Sequence, residues 1–543
     1  MGGWGRDKRQ RRARWLWRRA GTLSAAFLVV ACATQDSESA PGAGLNDANQ
    51  LFSVGYRDIA DIYIQEVPSI DLAVAGLSGL SSIDPAFKVS RDGGWILLDI
   101  GGDKAATLSV PARGDAEGWG NLTAAALDLS RRRSAELNTA DPEQLYEVVF
   151  DGMLGKLDKF SRYSGREEAR ENRASRDGFG GIGVRIRLVD DGVRILSVMD
   201  HTPAKQSGLA DDDIIVSIDG ENTVGLSQRE VVRRLRGPLH TRVVLGVKRV
   251  SAPAPLNIEV ARAHIVPQTV RYERLGATAH IRVSGFNQNT ARNLREAIKL
   301  ASAEMGDELG GFILDLRGNP GGLLDQSVAV SDLFVTDGRI VSTHGRHPDS
   351  HQYFEAEPDD LAHAKPVVVL VNGNSASASE IVAAALQDSG RAVVVGSSSY
   401  GKGTVQTVLR LPNEGELTLT WARFHAPSGY ALNGRGVMPD ICTSPIAAGE
   451  QIEAAQIVEQ VRSGRLPVAK ALIHRDLTLE DEKGIEAFRA SCPPAQGESG
   501  LELEVAQRLL EDPVLFARAI GGTVTSANQA LATKAAQPKA QAH

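Results

Sequence analysis

Three serines stand in alternate positions in NGNSASASEIVAAALQ, residues 372–387, directly before an alanine-rich run with helical spacing. Ser377 and Glu380 by themselves read as a capping box, in which the serine oxygen accepts an orphan amide at the helix start. The same placement gives a hydroxyl the partial positive charge of a helix amino terminus, which stabilises developing negative charge. Two other segments carry complementary chemistry. Arg317-Gly318-Asn319-Pro320-Gly321-Gly322 is a glycine-rich turn whose backbone amides can converge on an oxyanion, and Lys402 lies between two glycines in SSSYGKGTVQ. A lysine takes a proton from serine only when burial depresses its pKa, because desolvation disfavours the ammonium form. Neither loop holds a His or Asp for a triad, so a Ser-Lys pair is the economical assignment, with Ser375, Ser377 and Ser379 equally eligible.

Each loop follows an apolar run: GFILDL, PVVVLV and RAVVVG. In parallel α/β sheets, functional groups collect beyond the carboxyl ends of the strands, so three neighbouring strands would bring the three loops to one edge. Residues 251–445 alternate such runs with helical segments, including TARNLREAIKLASAEM and LLDQSVAVSDLF, which predicts a layered α/β domain with a largely parallel sheet. Before it, residues 178–250 read as a compact unit: GFGGIGVRIRLVDDGVRILSVM, the helix-like TPAKQSGL, DDIIVSIDGENTVG, the helix SQREVVRRL and the strand RVVLGVKR. This unit resembles a PDZ domain of the circularly arranged bacterial type, whose physical use is to pair an extended peptide with an exposed strand edge. That resemblance implies that Gly180, Gly181, Ile182 and Gly183 offer amides to a peptide's terminal carboxylate.

Residues 51–173 are expected to form a mainly helical domain, with a strand-like piece at GWILLDIGGDKAATLSVPA. VAGLSGLSSIDPAF and FDGMLGKLDKFSRY look alike, and two amphipathic helices with similar endings explain this better than a duplication. Residues 446–521 read as a helical extension and 522–543, rich in Ala, Gln, Lys and Thr, as a disordered tail.

At 543 residues the chain has room for roughly three or four domains, and 42% hydrophobic with 23% charged residues is an ordinary globular composition. The charge is uneven. Residues 1–31 hold eight basic side chains against Asp7 alone, whereas the whole chain carries −7, so removal of that segment leaves about −14 and argues against nucleic acid as a partner. The basic run precedes GTLSAAFLVVACA, too short to span a bilayer and built like a signal-peptide core. Residues 1–32 are therefore expected to be a signal peptide. Val29-Val30-Ala31-Cys32 resembles a lipobox, making Cys32 a candidate lipidation site, and it is preferred over cleavage at Ala31-Cys32-Ala33. Residues 33–50 read as a flexible linker. The adjacent Arg18 and Arg19 are a weak twin-arginine signal. With Cys32 consumed, Cys442 and Cys492 remain as either a disulfide or two buried thiols. His344, His347 and His351 lack the regular spacing of a metal site, and a polar loop is expected there.

The motifs LDLRGNPGG, NSASASEIVAAALQDSGRAVVVG, YGKGTVQ and GRGVMPDI, in that order behind the PDZ-like unit, closely resemble the carboxy-terminal processing proteases, also called tail-specific proteases. The likeness spans most of residues 145–445. It implies a multidomain α+β protein with an α/β peptidase core of the ClpP/crotonase type. Residue by residue it implies Ser377 as nucleophile, Lys402 as general base, Gln406 as the group that orients the lysine, and Ala378 with Gly321 or Gly322 as oxyanion donors. It also implies an exported serine endopeptidase in the periplasm or cell envelope that acts near the apolar carboxyl termini of protein substrates and needs no cofactor. Partners in such a setting include an adaptor lipoprotein, a membrane reached through a lipidated amino terminus, and further copies of the chain. The chain departs from the family pattern at Ser397, commonly acidic, and at Tyr430, commonly arginine, so substrate preference is open where the reaction is not. The rival reading, a non-catalytic PDZ peptide-binding scaffold of the cell envelope, is opposed by intact Ser377, Lys402 and Gln406.

Overall fold

The computed structural model describes residues 43–444, 453–464, 477 and 481–521; residues 1–32, expected as a signal peptide with Cys32 as a candidate lipidation site, residues 33–42 of the expected linker and the expected tail 522–543 lie outside them. Described elements from Leu45 onward belong to one compact unit. Residues 43–50, expected as linker, are instead the start of a helix, α1 (Ala43–Ile62), whose face carrying Ala48, Leu51 and Phe52 is buried. Gly44 weakens the start of this helix, and burying that face stabilises it.

The amino-terminal region adds α2 (Ser69–Ser78), the meander β1 (Phe87–Asp92), β2 (Trp95–Ile100) and β3 (Asp103–Ser109), then α3 (Ala116–Arg133), α4 (Ala135–Thr139) and α5 (Pro142–Leu154). Aspartate or serine caps α3, α4 and α5, and proline opens α5. Phe150 of α5 lies between Phe52, with centroids 5.4 Å apart, and Tyr163, stacked at 4.6 Å. Tyr163 belongs to β4 (Arg162–Ser164), which leaves the helical region to pair with a strand of the α/β core that follows.

After α6 (Arg166–Asp177), the short β5 (Phe179–Gly181) leads into β6 (Val184–Val189), β7 (Gly192–Val198), α7 (Pro203–Gln206), β8 (Ile214–Ile218), β9 (Glu221–Asn222), α8 (Gln228–Leu235), β10 (Arg242–Lys248) and β11 (Leu256–Ala261). Their sheet runs β11-β10-β8-β7-β6, with β9 on β8, so β6 is an open edge. The expected boundary at 250 falls too early. β11 pairs antiparallel with β10 from Arg242↔Ala261 to Val247↔Leu256, which carries this sheet to Ala261.

β12 (Ala263–Ile265) pairs back with β5 and begins the core, followed by β13 (Val270–Leu275), β14 (Thr278–Val283), α9 (Thr290–Met305), β15 (Gly311–Asp315), α10 (Leu324–Ser331), β16 (Arg339–Gly345), β17 (Gln352–Glu355), β18 (Val367–Val371), α11 (Ala378–Asp388), β19 (Ala392–Gly396), β20 (Thr404–Arg410), β21 (Glu416–His425) and β22 (Ile441–Cys442). The main sheet runs β13-β14-β15-β18-β19-β22 and is parallel from β14 onward. All five residues of β15, β18 and β19 are buried, as an apolar run without alternation requires when both faces are covered. Val367, Val369 and Val371 pack in one core with Leu294, Ile298, Ile381 and Val382, while Val368 and Leu370 pack in another with Val505 and Leu509 of the helix Gly500–Glu511. The carboxy-terminal helices are thus the second covering layer of the sheet. A smaller sheet, β17-β16-β21-β20 with β4 on β21, shares Leu417 and Leu419 with the helical amino-terminal core. Phe150→Ala is expected to lower stability by about 3–5 kcal/mol through the cavity it leaves, read as a lower urea midpoint at unchanged slope.

Candidate active site

β15, β18 and β19 are parallel neighbours, so the turn 317–322, the serine loop and the lysine loop meet at one edge. Asn319 ties the first to the second. It is fully buried; its carbonyl accepts Ala376 N–H at 3.0 Å and the Ser379 hydroxyl at 3.0 Å, and its Oδ1 accepts Gly321 N–H at 2.9 Å. Gly321 has φ 103° and lies so close to the serine loop that a Cβ there would stand 2.8 Å from Ser377 Cβ and 3.1 Å from Ala378 N, which restricts the position to glycine.

The three serines, indistinguishable by spacing, now separate. Ser375 Oγ accepts Asn372 N–H and donates to Leu316 O, and Ser379 Oγ donates to Asn319 O. Both are structural. Ser377 Oγ donates to no group among the described residues, and Ser377 keeps 9% exposure where Ser375 and Ser379 have none. Its backbone, φ 55° and ψ −113°, is far from the extended conformation of an ordinary helix cap. A non-glycine residue held there costs on the order of 1–3 kcal/mol, which the surrounding bonds must offset.

Those bonds converge on Glu380. This fully buried carboxylate accepts Ser377 N–H at 2.7 Å, Gly401 N–H at 2.6 Å, Lys402 N–H at 2.9 Å and the Ser399 hydroxyl. Burial pushes its pKa up, against the pull of the four donors. Glu380 therefore does more than the capping role that the S-x-x-E spacing indicates, since the same group locks the serine loop to the lysine loop.

Burial lowers the pKa of Lys402, and the charge of Arg162 lowers it further, while Glu380 and Asp158 oppose. Its Nζ lies 5.2 Å from the centroid of Phe160 and, among the described residues, has no hydrogen-bond or ion-pair partner, so Ser377 and Lys402 are not bonded to each other. Phe160 sits in a turn held by Asp158 Oδ1, which accepts the amides of Phe160 and Ser161 at 2.7 and 3.0 Å. Gln406, expected to orient the lysine, instead donates to Thr404 Oγ1 at 2.7 Å and Thr420 Oγ1 at 3.2 Å. A register shift between Val405 and Gln406 sets it opposite Thr420. Phe160 and Arg162 had no sequence signal of their own, Asn319 lay inside the LDLRGNPGG motif without a role assigned to it, and the clamping role of Glu380 was hidden inside the cap.

For an oxyanion, the Ala378 and Gly322 amides have no partner among the described residues, whereas Gly321 N–H is taken by Asn319. Gly180 and Gly181 lie in β5, paired with His264 and Ala263 of β12. Ile182 is buried with its carbonyl accepting Ala204 N–H, and Gly183, at φ 90°, precedes the open edge strand β6. Cys442 and Cys492 form a disulfide with Cα atoms 5.8 Å apart. His344 stacks on His351 and lies 4.6 Å from the His425 ring; among the described residues no group of three or more His, Cys, Asp or Glu is arranged to hold a metal.

The profile of Peptidase family S41 matches residues 277–443, and that of the PDZ domain residues 194–249. Over 313 residues the chain is 41% identical to the carboxy-terminal-processing protease of Bartonella bacilliformis, covering 57% of this chain and 72% of that protein. It is 32% identical over 305 residues to the "Probable CtpA-like serine protease" of Staphylococcus aureus strain COL, covering 55% of this chain and 60% of that one. The solved photosystem II D1 C-terminal processing protease aligns with 72% of this chain and 92% of its own at 23% identity, with a TM-score of 0.37.

Glu380→Ala is expected to strand two buried amides, the part-buried amide of Lys402 and a hydroxyl, and to cost more than about 3 kcal/mol. Glu380→Gln, which keeps one acceptor oxygen, is expected to cost less; urea midpoints of the two variants give the order.

Proposed function

The chain belongs to the carboxy-terminal-processing protease family, and from that membership we propose that it is an exported serine endopeptidase cleaving proteins near their carboxyl termini with Ser377 as nucleophile and Lys402 as base. It is a PDZ-containing serine peptidase of family S41. The observation that carries the catalytic assignment is that, of three alternate serines, Ser377 alone has a hydroxyl that donates to no group among the described residues, and its amide shares the Glu380 carboxylate with the amide of Lys402.

In this reading neutral Lys402 takes the Ser377 proton as Oγ attacks the scissile carbonyl. The tetrahedral oxyanion lies against Ala378 N–H and Gly322 N–H, at the positive end of α11. Collapse expels the amine, which leaves with the proton from the Lys402 ammonium, and an acyl-enzyme remains. Water then gives its proton to Lys402, attacks the ester, and releases the new carboxyl terminus as the proton returns to Ser377. No cofactor enters the scheme. Lys402 resting on Phe160 describes an unengaged dyad, and a side-chain swing toward Ser377, with Gln406 leaving Thr404 and Thr420, completes it.

The open edge of β6 beside Gly180, Gly181, Ile182 and Gly183 supports tail capture by strand addition, with movement of the PDZ domain gating the dyad. Helices on both faces of the parallel sheet support a core of the ClpP/crotonase type. The basic, apolar amino terminus supports export to the periplasm or cell envelope, with lipidation at Cys32, and an adaptor lipoprotein or self-association remains part of this reading.

Digestion of an unfolded protein with an apolar carboxyl end tests it. Ser377→Ala and Lys402→Ala are each expected to lower kcat/KM by about 10³ or more. Cleavage that survives Ser377→Ala overturns the assignment, and inactivity of all three proteins, wild type included, favours the scaffold. Because the base must be neutral, kcat/KM is expected to rise with pH through a midpoint below that of an ordinary lysine. Arg162→Gln removes a charge that disfavours the ammonium, so it should move the midpoint to higher pH.

A further inference from the structure

Residues 489–499 join the helix Glu482–Ala490 to the helix Gly500–Glu511, and along this length they are bonded to all three loops of the active edge. Arg489 donates to Ser399 O at 2.8 Å and to Arg435 O at 2.8 Å, gripping the lysine loop. Ser398 N–H donates to Cys492 O at 3.4 Å, and Ala495 N–H donates to Ser397 Oγ at 3.0 Å. The serine loop is held next: Gly373 N–H donates to Ala495 O at 2.6 Å and Asn374 Nδ2 to Gln496 O at 2.9 Å. Arg317 of the glycine-rich turn then donates to Ser499 O at 2.8 Å. Together these residues are a strap across the back of the site.

The two ends of the strap are anchored differently. The helix Gly500–Glu511 is buried in the main core through Val505, Ala506, Leu509 and Leu510. Among the described residues, the helix Glu482–Ala490, which carries Arg489, rests on a small cluster of four buried residues, Met438, Cys442, Phe488 and Cys492, with Leu477 against it, and two of these are the bridged cysteines. Cys442 lies on β22, whose partner β19 runs directly into the lysine loop. One family departure meets this strap directly, since Ser397 receives Ala495 N–H; Tyr430 lies 4.3 Å from the Arg435 guanidinium, whose residue accepts Arg489 through its backbone carbonyl.

We propose that the Cys442–Cys492 bridge fastens residues 489–499 so that Arg489 acts as a positioning residue for the lysine loop, and that turnover depends on the bridge being closed. The part concerning turnover rests on the peptidase reading above; the part concerning loop order stands without it. Among the described residues the hydrogen bonds of Arg489 go to the backbone carbonyls of Ser399 and Arg435, and its charge is felt by Glu380, which bonds the Lys402 amide, so its effect reaches the reaction through the placement of Lys402.

The test uses the full mature chain with Cys442→Ser/Cys492→Ser, Arg489→Gln and Arg489→Lys, each assayed well below its thermal midpoint so that only folded protein is compared. Amide hydrogen exchange is read at Gly373 and Ser398, whose N–H groups go to the strap, with β7 as internal control. Faster exchange at both amides in the bridgeless and Arg489→Gln proteins, with β7 unchanged, is expected. On the tail-bearing substrate kcat should fall about ten- to a hundredfold with KM little changed, as expected for a misplaced catalytic group. The pH midpoint should move toward that of an ordinary lysine, and Arg489→Lys should recover part of the loss. A purely structural bridge would lower the thermal midpoint and leave exchange, kcat and pH profile of the folded protein as in wild type, which overturns the proposal. Should wild type cleave nothing, the peptidase reading fails and exchange alone decides the strap: wild-type exchange at Gly373 and Ser398 sinks it.

Discussion

A single buried carboxylate holds the two halves of the site in register. Glu380 is reached by one amide from the serine loop and by two amides and a hydroxyl from the lysine loop, and none of these donors is itself a charged side chain. An ion pair with Lys402 would have held the base in its protonated form, because a nearby negative charge favours the ammonium. Bonding to the Lys402 backbone instead fixes where that residue begins and leaves its side chain free. The residual field of Glu380 still favours the ammonium, and burial and Arg162 act against it.

That arrangement requires a rigid frame on both sides. The strands β15, β18 and β19 supply it because each is buried on both faces, with alternate residues committed to alternate layers. The carboxy-terminal helices form one of those layers, so the strap that follows from them is part of the frame. The amino-terminal region contributes in the same manner: Ser161 Oγ accepts Thr420 N–H, and this bond brings Phe160 and Arg162 to the lysine.

Much of this was legible in the sequence. Apolar runs ending in glycine-rich or serine-rich loops were enough to place three loops at one edge, because strand burial and loop position follow from local pattern. The choice of Ser377 over Ser375 and Ser379 was not legible, since it depends on which hydroxyls find carbonyls across the turn at Leu316 and Asn319. Where Gln406 points was not legible for a similar reason: spacing fixes which residue follows the lysine by four, whereas a β-bulge sets what that side chain faces in this structure. Gly321 and Gly322 look equivalent until Asn319 claims the first. The sheet boundary at Ala261 and the helix at 43–50 were missed because pairing and burial with distant segments, rather than local composition, define them.

In the proposed mechanism the loops stay tied by Glu380 and Asn319, and Lys402 reaches Ser377 through its own side-chain torsions. Lys402 on the Phe160 face is a cation over a ring, an interaction of about 0.5–2 kcal/mol that favours the protonated amine. Leaving the ring removes that preference while burial and Arg162 continue to act, so the same movement that brings Nζ toward Ser377 also makes it a better base. In that mechanism proton affinity and position are coupled in one rotation of the lysine side chain.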